Sequence, residues 1–127
     1  MNTDYLLDFS LRLVAFSLWP SMTNQTTPEP SDRELVARAQ AGELDAFEAL
    51  TTRYEQRVYS LALRMLRQEQ DAEDVTQQTF LSALESLDGF RGEASFATWL
   101  LRIATHAALS LGIKRVQEAK RIRGLFP

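Results

Sequence analysis

Apolar positions recur every three or four residues between Leu35 and Leu111, with polar residues between them. That period is helical, and no alternating strand pattern or hairpin turn signal interrupts it. Ser31 and Glu34 form an S-x-x-E capping box ahead of Leu35, Val36 and Ala39, and Gly42 stands where a left-handed residue closes a helix. A second helix is expected from a cap at Asp45, with Glu48 as its box partner. Its apolar stripe is Phe47, Leu50, Tyr54, Val58, Leu61 and Met65. The pattern breaks in the polar run at 67–70. Asp71 is then expected to cap a third helix, with Val75, Thr79, Ala83 and Leu87 on one face and Gly89 at its end. After a short loop, Ser95 is a good N-cap for a last helix whose inward residues are Phe96, Trp99, Leu100, Ile103, Ala107 and Leu111. This helix is expected to reach about residue 122, with Gly112 bending or fraying it at a cost of about 1 kcal/mol against alanine. The fold class expected is all-α, a small bundle of about four helices with a long C-terminal one.

The flanks read differently. Residues 5–19 are apolar but carry Asp8 and Arg12, so they fall short of a membrane span, and no basic segment precedes them as in a secretory signal. Residues 20–30 hold three prolines among small polar residues and form a linker. The expected organisation is an N-terminal extension and Pro-rich linker over 1–30, poorly ordered, a helical domain over 31–123, and a tail over 124–127.

Composition narrows the chemistry. The 127 residues suffice for one compact domain. With no cysteine and a single histidine, His106, a thiolate metal site, a cysteine nucleophile and a His pair for zinc are all excluded. No Gly-rich phosphate loop occurs. Neither a metal nor a cofactor is expected, and an enzyme ranks far below a binding protein. The net charge of −3 conceals a split: residues 31–90 carry six arginines against twelve acids, whereas residues 91–127 carry seven cations against Glu93 and Glu118. An acidic body with a basic C-terminal third suggests two surfaces with different partners.

Three stretches carry the candidate chemistry. DAEDVTQQTF opens the third helix; helix capping accounts for Asp71 and Asp74, while Gln77, Gln78 and Leu81 continue an exposed polar strip that on spacing alone reads first as a solvated face and second as a docking surface. FRGEASFATWLLRIATH, residues 90–106, interleaves Phe90, Phe96 and Trp99 with Arg91 and Arg102, the mixture that stacks unpaired bases and holds phosphates. Phe96 and Trp99 also suit the core, and His106 alone is more often a surface side chain than a ligand. Lys114, Arg115, Lys120, Arg121 and Arg123 supply phosphate contacts without sequence reading, or a solvated helix face.

Taken together, ELVARAQAGELDAFEALTTRYEQRVYSLALRML and DAEDVTQQTFLSALESLDGFRGEASFATWLLRIAT closely resemble region 2 of bacterial sigma factors of the extracytoplasmic-function group, over about residues 31–115. The resemblance implies a transcription-initiation domain, cytoplasmic, that binds core RNA polymerase and recognises and melts the minus-ten promoter element. It implies that Asp71, Asp74, Gln77, Gln78 and Leu81 dock on the β′ clamp coiled coil. It implies that Arg91, Gly92, Glu93, Ala94 and Ser95 surround a base flipped from the non-template strand, with Phe96, Trp99, Arg102 and His106 nearby; Lys114 and Arg115 enter only as the phosphate contacts read above from charge. An anti-sigma factor is a further implied partner. On this reading the loop at 90–95 and the cationic tail together make one positive tip.

Three departures from the family pattern matter. Gln78 stands where a glutamate is usual, and His106 where asparagine is common. The second helical domain that such factors usually carry, region 4, does not fit before Pro127, and SLGIKRVQEAK strays from the usual Arg-rich continuation. The alternative expectation is therefore a truncated factor, or a free-standing region 2 protein, that binds polymerase or an anti-sigma partner without initiating by itself.

Overall fold

The computed structural model describes residues 28–125. The expectations for residues 1–27 and for the end of the tail lie outside the described residues. Four α-helices follow in order: α1 (Asp32–Gln40), α2 (Leu44–Leu66), α3 (Glu69–Ser86) and α4 (Phe96–Gly124), with a 3-10 turn at Leu87–Gly89 after α3. No strand occurs among the described residues. The all-α expectation holds, as does the long last helix. Helix α2 packs against α1, α3 and α4, and α3 packs along α4.

Two caps form as the sequence implies. Ser31 Oγ accepts from the Glu34 N–H at 3.2 Å, and Ser95 Oγ accepts from the Thr98 N–H at 3.1 Å. Gly42 takes φ +101°, a left-handed value that a side chain would strain. Two other caps are corrected. Helix α2 begins at Leu44 after Glu43, not at a cap on Asp45, and Glu43 makes no side-chain cap bond because Arg38 Nε holds its carboxylate at 2.8 Å. Helix α3 begins at Glu69 after Gln68, so Asp71 lies inside the first turn rather than capping it. Arg67 closes α2 in the left-handed region at φ 57°.

The main core joins Leu35, Val36, Phe47, Leu50, Val58, Phe80, Leu87, Phe96 and Leu100 across all four helices. A smaller one, Ala62, Ala72, Val75 and Ala108, lets α2, α3 and α4 approach closely through small side chains. Met65, expected on the buried stripe of α2, is instead exposed, and Ala62 takes the inward place. Val58, Ala62 and Leu66 step by four, so the inward face turns by about 40° per step as α2 passes from one neighbour to the next. The same winding explains α4, where the buried residues are Phe96, Leu100, Ala104 and Ala108. Trp99, Ile103, Ala107 and Leu111, expected inward, are half-buried along its flank.

Helix α4 is continuous through Gly112 and ends at Gly124, two residues past the expected end. By length and composition alone it is apolar enough to cross a membrane. Its buried residues, Phe96, Leu100, Ala104 and Ala108, face the bundle, while most of the rest of the helix is half-buried or exposed.

Candidate nucleic-acid and polymerase interface

The loop before α4 is held from both sides. Gln40, the last residue of α1, donates through Nε2 to the carbonyls of Leu87 at 3.0 Å and Phe90 at 2.9 Å. On the other side the Ser95 cap fixes the first turn of α4, and Ser95 Oγ also donates to Thr98 Oγ1 at 2.9 Å. Between these anchors Arg91, Gly92, Glu93 and Ser95 are exposed and Ala94 is half-buried, with Gly92 at φ +77°. The Gln40 anchor lies outside the three stretches read as carrying the chemistry, and no local signal in the sequence marks it.

An aromatic cluster floors this loop. Phe90 lies 4.9 Å from Trp99 and 6.2 Å from Phe96 between ring centroids, and Trp99 lies 5.8 Å from Phe96. The Tyr54 ring joins from α2 at 5.6 Å from Phe96. Phe96 is 4% exposed, so it supports the loop from below and presents no ring to a ligand, a correction to its place among the contact residues. Trp99 packs on the core yet also borders an open groove. It is thus neither the pure core anchor nor the free stacking platform of the two sequence readings.

Beneath the floor, the Tyr54 hydroxyl donates to the Asp32 carboxylate, which also takes Arg53 Nη1 at 2.7 Å. Burial, then the hydrogen bond to Asp32, pushes the Tyr54 hydroxyl up from the usual 10 to about 12. Arg53 Nη2 also reaches the Pro30 carbonyl at 2.9 Å and ties the entering chain to α2.

The α3 strip is open to partners. Asp74, Gln77, Gln78 and Leu81 are all exposed, Leu81 by 56%. Val75, Thr79 and Ala83 occupy the opposite, buried face, as their spacing implies. Asp71 is corrected: it is 6% exposed, and its carboxylate accepts from Arg115 Nη2 at 2.9 Å. The pair locks α3 to α4, and the hydrogen bond raises the Arg115 guanidinium further above its ordinary value. Each residue was assigned to a different surface by the sequence; the fold brings them together in a structural contact, with Glu118 3.7 Å from Arg115.

A groove of about 660 Å³ runs between α3 and α4. Asp74, Gln78 and Ser82 line one wall, and Trp99, Arg102, His106 and Ser110 line the other. Arg102 and His106 are exposed along it. The cationic tail lies elsewhere. From Ser95 to Lys114 an unbroken helix spans about 28 Å at 1.5 Å per residue. The single positive tip is therefore corrected to two sites, one at each end of α4. Among the described residues, no group of three His, Cys, Asp or Glu side chains is arranged to hold a metal ion.

Residues 50–117 match the family model for sigma-70 region 2, which covers most of α2, all of α3, the loop and most of α4. The chain belongs to the sigma-70 region 2 family. RNA polymerase sigma-H factor of Pseudomonas aeruginosa is 39% identical over 80 residues, 63% of this chain and 42% of that protein. ECF RNA polymerase sigma-E factor of Escherichia coli K12 is 44% identical over 78 residues, 61% of this chain and 40% of that one. The region 2 chain thus matches about two fifths of the length of these relatives. An engineered region 2 of sigmaE, solved by NMR in complex with GTAAAA, superposes with a TM-score of 0.68 at 34% identity, over 73% of this chain and 97% of that one. The extracytoplasmic-function resemblance drawn from the DAEDV and FRGEASF stretches is borne out.

Proposed function

We propose that residues 31–123 act as a two-faced adaptor in transcription initiation. One face, Asp74, Gln77, Gln78 and Leu81 on α3, docks on core RNA polymerase at the clamp coiled coil of β′. The other, Arg91 to Ser95 with Trp99, Arg102 and His106, holds a base and flanking phosphates of the non-template minus-ten strand. Lys114, about 28 Å along α4 from Ser95, makes a separate backbone contact. Docking on polymerase implies a cytoplasmic place of action, and the role is one of binding, with no bond made or broken.

One observation carries this reading: the exposed loop is braced by Gln40 and Ser95 over a packed aromatic floor. Extruding a base costs a few kcal/mol, which only a preformed receptor recovers on binding. A loop anchored at both ends has little conformational entropy left to lose. The similarity to a region 2 solved with GTAAAA supports a strand of that kind as the ligand.

The test is a titration of fluorescently labelled single-stranded GTAAAA, against a scrambled strand, with wild type and Arg91→Ala. Preference for GTAAAA, lost in Arg91→Ala without loss of fold, is the expected result. Equal affinity for both strands would reject the strand site. Transcription assays with core polymerase then separate an initiating domain from one that binds without opening DNA.

A further inference from the structure

Along α4, Leu109, Ile113, Val116, Lys120 and Arg123 recur at steps of four and three, and all are exposed. At about 100° per residue they fall within about 40° of one line. Leu109, Ile113 and Val116 are 52%, 59% and 54% exposed. The buried residues of α4, from Phe96 to Ala108, centre roughly 160° away around the helix. The line therefore faces away from the bundle, and a broad flat surface can reach it without meeting α2 or α3. From Ile113 to Leu125 every residue is exposed. The Arg115 bond to Asp71 ties this segment to α3 from its other side.

The charge of this face has one sign. Residues 113–125 carry five cations against Glu118 alone. Glu118 is the only acid on α4, lies roughly 180° from the line, and sits 3.7 Å from Arg115. Lys120 and Arg123 thus continue the aliphatic line with no acid of α4 beside them. Such a face calls for an anionic partner that also takes up aliphatic side chains. Nucleic acid supplies phosphates but would set Leu109, Ile113 and Val116 against a charged backbone. A partner helix gains little, because the aliphatic part of the line is only about 10 Å long, and a helix seam is sustained over about three heptads or more. A phospholipid surface supplies both halves. Its headgroups attract the cations, whose long stems keep the charge at the interface while the aliphatic side chains sink towards the acyl boundary.

We infer that the outer face of α4 from Leu109 to Arg123 docks on an anionic phospholipid surface, with the helix axis lying along it. Leu109, Ile113 and Val116 enter the headgroup boundary, and Lys120 and Arg123 meet lipid phosphates. The inference is independent of the polymerase and strand surfaces, and its variants spare the residues assigned to both.

The test is sedimentation of the full chain with vesicles of phosphatidylglycerol and phosphatidylcholine, against vesicles of phosphatidylcholine alone, at about 0.1 M salt. The anionic vesicles should bind the protein more tightly. Ile113→Gln with Val116→Gln, and separately Lys120→Gln with Arg123→Gln, should each weaken that binding about ten-fold. The aliphatic pair should leave thermal melting and affinity for duplex DNA unchanged. Because the chain has no cysteine, a polarity-sensitive fluorophore attached through Ile113→Cys reports the face without background. Its emission should shift to the blue on anionic vesicles, and the same label at Glu118→Cys should shift far less. Wild-type affinity in the aliphatic pair would overturn the inference, as would equal affinity for the two kinds of vesicle or equal shifts at the two labelled positions. So would binding to duplex DNA with none to vesicles, which would assign the face to nucleic acid.

Discussion

At the scale of single residues, Gln40 and Tyr54 matter most, and neither belongs to the three stretches that carry the candidate chemistry. Gln40→Ala removes two hydrogen bonds, each worth about 0.5–1.5 kcal/mol. We expect faster amide exchange over residues 90–93 and several-fold weaker strand binding. Unchanged exchange there would show that the loop stands without its anchor. Tyr54 predicts an alkaline effect. Its hydroxyl is held up to about 12 in the folded protein, against the usual 10 when unfolded. The contribution is complete below pH 10 and is lost as pH rises towards 12, where the folded form must also ionise. Tyr54→Phe should therefore be less stable than wild type at pH 8, with the gap narrowing by pH 11; urea melts at the two values check it. Trp99 lies between core and groove. Trp99→Ala should lower stability by less than the about 3–5 kcal/mol of a fully buried aromatic and also weaken strand binding.

At the scale of elements, periodicity revealed the existence and type of every helix among the described residues, while caps and inward faces were only partly legible. Ser31, Gly42 and Ser95 could be read because their capping chemistry is local. Asp45 and Asp71 could not, because Glu43 and Asp71 are claimed by Arg38 and by Arg115, and the second of those partners is 44 residues away. The inward faces of α2 and α4 wind around their axes, which a straight stripe does not capture, so Met65 and Trp99 were set too deep. Gly112 shows the converse. It was expected to disturb α4, yet the helix continues through it, and an added Cβ would meet Leu66 Cδ2 at 3.8 Å, ordinary contact. Gly112→Ala should accordingly stabilise the domain by about 0.5–1 kcal/mol, read from urea midpoints. Destabilisation would mean that α2 and α4 approach more closely than a methyl group permits.

At the scale of the whole molecule, the charge split between acidic body and basic C-terminal third suggested two surfaces, and the motifs located them in sequence. Their spatial relation was beyond reach of either signal. It took the packing of α3 along α4 to bring Asp74 and Gln78 across one groove from Arg102 and His106. It took the length of α4 to separate the loop from the cationic tail. The strand site should weaken steeply with salt, since each phosphate contact releases counterions.

On the proposed function, the exposed α3 strip is the polymerase surface of a bundle whose fold does not depend on it. The most direct measurement is the affinity of the full chain for core RNA polymerase, wild type against Asp74→Arg, with thermal melts and GTAAAA binding of both proteins alongside. We expect at least about ten-fold weaker polymerase binding, equivalent to about 1.4 kcal/mol, with melting unchanged and GTAAAA binding not weakened, since the new cation faces Arg102 and His106 across the groove. Equal polymerase affinity for the two proteins would contradict it.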